Sequence, residues 1–223
     1  VVYGRDKSKF LDIERAATLA ELKLVHSPVR HLGTERSLHV LKHMQDYLQD
    51  KIEIINNKTV ESLNVENGVI KGITLNNGET IEAQYVVVAP GREGADWFSK
   101  ELIKNGVNVL NNEVDEGVRV ELPAAVMDPN TSRLYEFCMN PNGEVVSENY
   151  NGIQTVNGHS YADADKKTQN TNFALLVSKK FTEPFNEPIP YGQHVASLAN
   201  MLSGGVLVQR FGDLLDGKRS TPN

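Results

Sequence analysis

The stretch YVVVAPGREG, Tyr85 to Gly94, decides how this chain is read. Three consecutive valines, Val86 to Val88, run into Ala89-Pro90-Gly91. Arg92 then leads toward Ala95 to Lys104, where Trp97, Phe98, Leu102 and Ile103 predict a helix. An apolar run without alternation suits a strand covered on both faces, as in a parallel sheet packed between helices. Gly91 allows close approach of a ligand to the backbone and tolerates positive φ. Pro90 withdraws a donor and sets the exit direction. Arg92 stands where an anion could be met. Two readings are open here: a nucleotide at the end of a buried strand, or a plain strand-to-helix turn.

Upstream, the period changes to two. Val60 to Val65 and Val69 to Leu75 flank Asn67-Gly68, a type I′ hairpin signal, and Asn77-Gly78 leads to Thr80-Ile81. Three short antiparallel strands in a meander are expected, preceded by a short strand at Ile52-Glu53-Ile54. Before them, Leu38, Leu41, Met44 and Leu48 predict a helix over 34–49, with Thr34 as its N-cap. A weaker helical pattern covers Phe10 to Leu24. Downstream of Asn111 the chain turns polar and β-prone, at 117–122, 134–139, 143–146 and 173–177, and a late helix is expected over Gln193 to Leu202. The resulting division is residues 1–112 and 113–223, the second part being β-rich.

Composition narrows the function classes. With 39% apolar and 23% charged residues the chain reads as globular, and its net charge of −6 argues against a nucleic-acid surface. No apolar run reaches the roughly 18 residues of a membrane span. The single cysteine, Cys138, forms no internal disulfide, which points to a reducing, cytoplasmic setting. The chain opens VVYGRD and stops at STPN, so a segment of a longer protein is expected.

The order of a capped helix, a meander and a strand ending in A-P-G resembles the middle of a flavoprotein of the glutathione-reductase-like superfamily. HLGTE (31–35), VVVAPGR (86–92), GVRVELP (117–123), FCMNPNG (137–143), VNGHSY (156–161) and NTNFALLV (170–177) follow in order. Together they resemble a bacterial family of FAD-dependent dehydrogenases. The resemblance implies an α/β fold with an α+β insert: a partial FAD/NAD(P)-binding domain, parallel sheet plus antiparallel meander, then a β-rich insert. It implies backbone contact of Val60 with adenine, and Ala89, Pro90 and Gly91 along the ribose and pyrophosphate of FAD. Arg92 would face the cofactor or the adjoining domain, and NAD(P)H would serve as electron donor. The fingerprint G-x-G-x-x-G is absent, so this chain alone should retain FAD poorly and should depend on the remaining FAD-binding segments of the parent chain. The family reads C-M-C-P-G-G where this chain has Asn140 and Asn142, which removes a dithiol role.

Individual side chains leave alternatives open. Cys138 is either a buried inert thiol or a substrate-facing residue, with no neighbouring cation in sequence to activate it. His159, between Gly158 and Ser160, is either a loop histidine or a general acid–base. His31 either packs before the helix or meets an anion at its start. His39 and His43, one helical turn apart, are half a metal site at most, and Asp163-Ala164-Asp165 lacks the spacing of a calcium loop. No G-x-S-x-G, P-loop or H-E-x-x-H occurs. An FAD-dependent oxidoreductase is thus weighed against a non-catalytic ligand-binding or protein-interaction module, and against an NAD(P)-dependent enzyme without flavin.

Overall fold

The fold is described from a computed structural model, which describes residues 7–23, 32–127, 142–182, 184 and 187–221. His31 and Cys138, with the stretch expected as a strand at 134–139, lie outside the described residues. In chain order the elements are α1 (Lys7–Leu19), α2 (Thr34–Leu48), β1 (Val60–Glu66), β2 (Val69–Leu75), β3 (Thr80–Glu82) and α3 (Ala95–Lys104). There follow β4 (Val114–Pro123), a 3-10 turn (Ala124–Met127), β5 (Val145–Tyr150), β6 (Ile153–Gly158), β7 (Asn170–Lys179), α4 (Pro188–Ser203) and α5 (Phe211–Leu215). They divide into two compact units. One holds Val1–Gln45, Asp115–Ser178 and Gln193–Asn223; the other holds Asp46–Val114 and Lys179–Gly192. One change of unit falls close to residue 112, while both chain ends join the segment 115–178.

The meander forms as its turn residues dictate. β1 pairs antiparallel with β2, and Glu66 faces Val69 across Asn67 and Gly68, whose φ values are +52° and +76°. Two successive positive φ values define the type I′ turn that matches strand twist. β3 adds antiparallel to β2 through Ile73–Ile81. Leu75, 4% exposed, is the one fully buried apolar side chain among the described residues.

α3 covers the outer edge of β1. The indole Nε1 of Trp97 donates to the Glu61 carbonyl (2.9 Å), and the Leu63 N–H donates to Glu101 Oε2 (2.8 Å). Residues 97 and 101 share one helix face, and the two backbone groups lie on one strand edge, so a single helix face satisfies the edge. Glu101 is 7% exposed and ion-paired with Lys104 at 3.0 Å. Burial alone would raise its pKa, but the Leu63 N–H and the Lys104 ammonium outweigh that and hold the carboxyl below the usual range.

In the other unit, β5 and β6 form a hairpin closed by Asn151-Gly152, both at positive φ, and β4 neighbours β7. Bonds from Ser178 to Asp115, Arg119 to Asn172 and Asn170 to Glu121 fix that pair as antiparallel. α4 is tied to β6 by Asn200. Its Oδ1 accepts the Gln154 N–H (2.7 Å), and its Nδ2 donates to the Gln154 carbonyl (2.9 Å), as a neighbouring strand would.

Three expectations are corrected. Tyr85 to Ala89 forms no strand, and Tyr85 and Val87 are 88% and 95% exposed. A run of valines stays ordered as a strand only when a partner takes its backbone groups, and among the described residues no strand pairs with it. Ile52 to Ile54 is likewise irregular and exposed. Thr34 does not cap α2 with its side chain: its Oγ1 accepts the Ser160 N–H (3.4 Å). The Gly33 carbonyl instead accepts the first helical N–H, from Ser37. The described pairings are antiparallel throughout, giving a mixed α and β chain of small sheets.

Candidate functional site

The turn carrying Ala89, Pro90, Gly91 and Arg92 is exposed and enters α3 directly. Gly91 holds φ +68°, and a side chain there would meet no atom within 4 Å. The backbone is thus bare on an open side, as a ligand contact made through main-chain atoms requires. Gly94 serves packing instead. A Cβ there would lie 2.4 Å from Pro90 Cβ, so its absence lets the proline fold onto the helix start. The first turn of α3 contains Asp96, ion-paired with Lys100 at 2.6 Å. A carboxylate at a helix N-terminus opposes phosphate binding, so the residues fit contact with an uncharged part of a nucleotide better than with its phosphates. Val60 is half-buried at the start of β1, where the pairing with β2 shifts between Val60 and Ser62. Such irregularities re-aim backbone groups. Trp97 and Glu101 join this strand to the helix that follows the turn. An open depression of about 390 Å³, lined by Val69, Ile70, Lys71, Glu82, Ala83 and Gln84, contains none of these residues.

A second constellation, in the other unit, is polar and buried. Asn172, Thr171 and Ser160 are at most 1% exposed. Asn172 Nδ2 donates to the His159 carbonyl (3.1 Å), while its Oδ1 accepts from Arg119 (2.8 Å). Burial lowers the Arg119 pKa, partly countered by the charge of Glu148. Gly143 packs so tightly that a Cβ would fall 1.7 Å from the His159 carbonyl oxygen. Its neighbour Asn142 holds φ +53°, a conformation that Asn and Gly share.

Loop 159–163 grips the start of α2. The Ser160 carbonyl accepts the Thr34 N–H, and both the Ala162 and Asp163 N–H groups donate to Glu35 Oε1 at 2.7 Å. Arg36 pairs with Asp163. Burial works to raise the Glu35 pKa, but the backbone donors of Asp163, Glu35 itself and Ala162, with Arg36, hold it below the usual range. The start of α2 is therefore occupied by the chain's own carboxylate.

His159 is half-buried, and its Nδ1 lies 3.3 Å from the Tyr161 hydroxyl. Tyr161 donates to Glu144 Oε1 at 2.8 Å. That hydrogen bond, with desolvation and the charge of Glu144, raises the Tyr161 pKa and keeps the phenol protonated. His39 and His43 are exposed on α2, and among the described residues no group of three metal-donor side chains occurs. Asp163 is engaged with Arg36. The structure thus associates Val60 with the 89–92 turn through β1 and α3, and places His159 in the separate unit. Sequence reading placed the Tyr161 hydroxyl beside His159 but missed Glu144, which lies 17 residues from Tyr161 and belongs to no motif with it.

Comparison with known proteins bears on the first constellation. No curated protein matches the chain. Among the described residues no helix is long and apolar enough to cross a membrane. The model of the family described as Glucose inhibited division protein A matches residues 30–128, spanning α2, the meander, the 89–92 turn, α3 and β4, which supports a flavoprotein relationship for that stretch.

Proposed function

We propose that residues 30–128 are the cofactor-flanking part of an FAD-dependent oxidoreductase that moves hydride or electrons through the flavin. The observation that carries this reading is the coincidence of the family match with an open, side-chain-free turn at Gly91 entering α3. Val60 would meet the adenine through its backbone, Ala89, Pro90 and Gly91 would run along the ribose side of the cofactor, and Arg92 would face the cofactor or the adjoining domain. When bound, FAD supplies the redox chemistry; the chain's residues supply position and exclude water. NAD(P)H is the proposed electron donor, and a reducing, cytoplasmic setting follows from the single cysteine. In this scheme residues 1–112 form the partial cofactor domain, with a parallel sheet completed by further FAD-binding segments of the parent chain, and 113–223 form a β-rich insert. The test is the visible absorption of the longest form of the protein that carries residues 1–223, purified without added cofactor. Flavin bands are expected. A colourless protein that also fails to take up added FAD overturns the reading.

A further inference from the structure

The chain Glu144–Tyr161–His159 uses three side chains whose roles are not exhausted by packing. Glu144 accepts the Tyr161 proton at 2.8 Å, so the Tyr161 oxygen is left to accept. The only polar hydrogen His159 can offer it across 3.3 Å is the one on Nδ1. The imidazole is thereby held in the Nδ1–H form, with its ring edge-on to the Tyr161 ring at 90°. Nε2 then carries the lone pair. No hydrogen bond to Nε2 is present among the described residues, and Nε2 is not one of the buried unpartnered atoms, which are Glu35 Oε2, Glu116 Oε1 and Thr155 Oγ1.

The backbone around the ring is fixed independently. The His159 N–H donates to the Glu144 carbonyl (2.8 Å), Asn172 holds the His159 carbonyl, and Gly143 packs against that carbonyl without a side chain. The imidazole therefore sits on a rigid frame, tied at one nitrogen and open at the other. That is the arrangement a general base requires: a positioned nitrogen whose partner orients it. The charged groups acting on Tyr161 are the carboxylates of Glu144 and Glu35, which disfavours an anionic ligand beside it.

We infer that His159 is a proton-accepting site for a neutral hydroxyl-bearing ligand, with Glu144 and Tyr161 as positioning residues. The ligand O–H bond breaks, an N–H bond forms at Nε2, and the electron pair stays on the ligand oxygen. This assignment stands independently of the flavin reading.

Nitrogen-15 NMR of the imidazoles, with 4-nitrophenyl acetate as a probe of imidazole reactivity, tests it. In the wild-type chain His159 is expected as the Nδ1–H tautomer, and Tyr161→Phe is expected to shift it toward Nε2–H. Glu144→Gln serves as a second variant should Tyr161→Phe fail to fold, with the same direction of shift. His159→Gln is expected to lower turnover of the ester several-fold more than His39→Gln, which removes an exposed helix histidine. A wild-type His159 in the Nε2–H form overturns the inference, as does equal turnover in the two histidine variants.

Discussion

The meander with α3 and the polar cluster around Asn172 solve the same problem with opposite means. In the first, the partners lie no more than 38 residues apart: Asn67-Gly68 turns β1 onto β2, and α3 returns within the same unit to satisfy the β1 edge through Trp97 and Glu101. In the second, partners are far apart: Thr34 to Ser160, Glu35 to Ala162, Arg119 to Asn172. With Leu75 the one fully buried apolar side chain among the described residues, hydrogen bonds in both regions carry specificity that a larger core would otherwise supply. A buried polar group left without a partner costs more than a formed bond contributes. The distant lattice is therefore the more brittle of the two.

That contrast can be broken at several positions, beginning with the largest expected effect. Gly143→Ala drives a Cβ into the His159 carbonyl, 1.7 Å away, and should lower unfolding stability by about 3 kcal/mol, measured by urea denaturation. Gly91→Ala meets no atom within 4 Å and carries only the strain of φ +68°, about 1 kcal/mol. Equal losses in the two would erase the distinction. Asn172→Ala leaves the His159 carbonyl and Arg119 each short of a buried partner, and should cost about 2 kcal/mol in the same assay.

Glu101→Gln tests the local region and should cost about 1 kcal/mol through loss of the Lys104 ion pair and a weaker bond to Leu63. The pH dependence sharpens it. Because the folded-state pKa of Glu101 is depressed, its stabilisation is present above the unfolded carboxylate range and is lost as pH falls through the folded value. The wild-type chain should therefore lose its advantage over Glu101→Gln on acidification, with the two midpoints converging in acid. Divergence in acid would contradict the sign. The smallest effect belongs to Asn67→Ala, where replacing a residue suited to φ +52° should cost about 1 kcal/mol or less, read as a lower thermal midpoint.

Legibility followed the same divide. Strands β1 to β3 and helices α2 and α3 were readable because their signals are local: an Asn-Gly turn, alternation, a helical stripe. Asn151-Gly152 carries the same hairpin signal as Asn67-Gly68, yet the reading of the polar half passed over it; the flanking residues there alternate weakly. Val86 to Val88 misled for a physical reason. β-branched residues report a preference for pleated, covered surroundings, not the presence of the neighbour that provides them. Tyr161 was legible as a hydroxyl neighbour of His159, but its bond to Glu144 was not, because the two residues lie 17 positions apart. At the 89–92 turn the bare backbone at Gly91 and the carboxylate of Asp96 beside it emerged only with the fold.

The most direct measurement is the FAD dissociation constant of the longest protein carrying this chain, compared between Gly91→Val and Gly68→Val. Both positions hold positive φ with open space around them, so both substitutions carry similar backbone strain. A weakened FAD affinity in Gly91→Val alone is predicted by a cofactor lying along the Ala89–Gly91 backbone. Equal affinities in the two variants would contradict it.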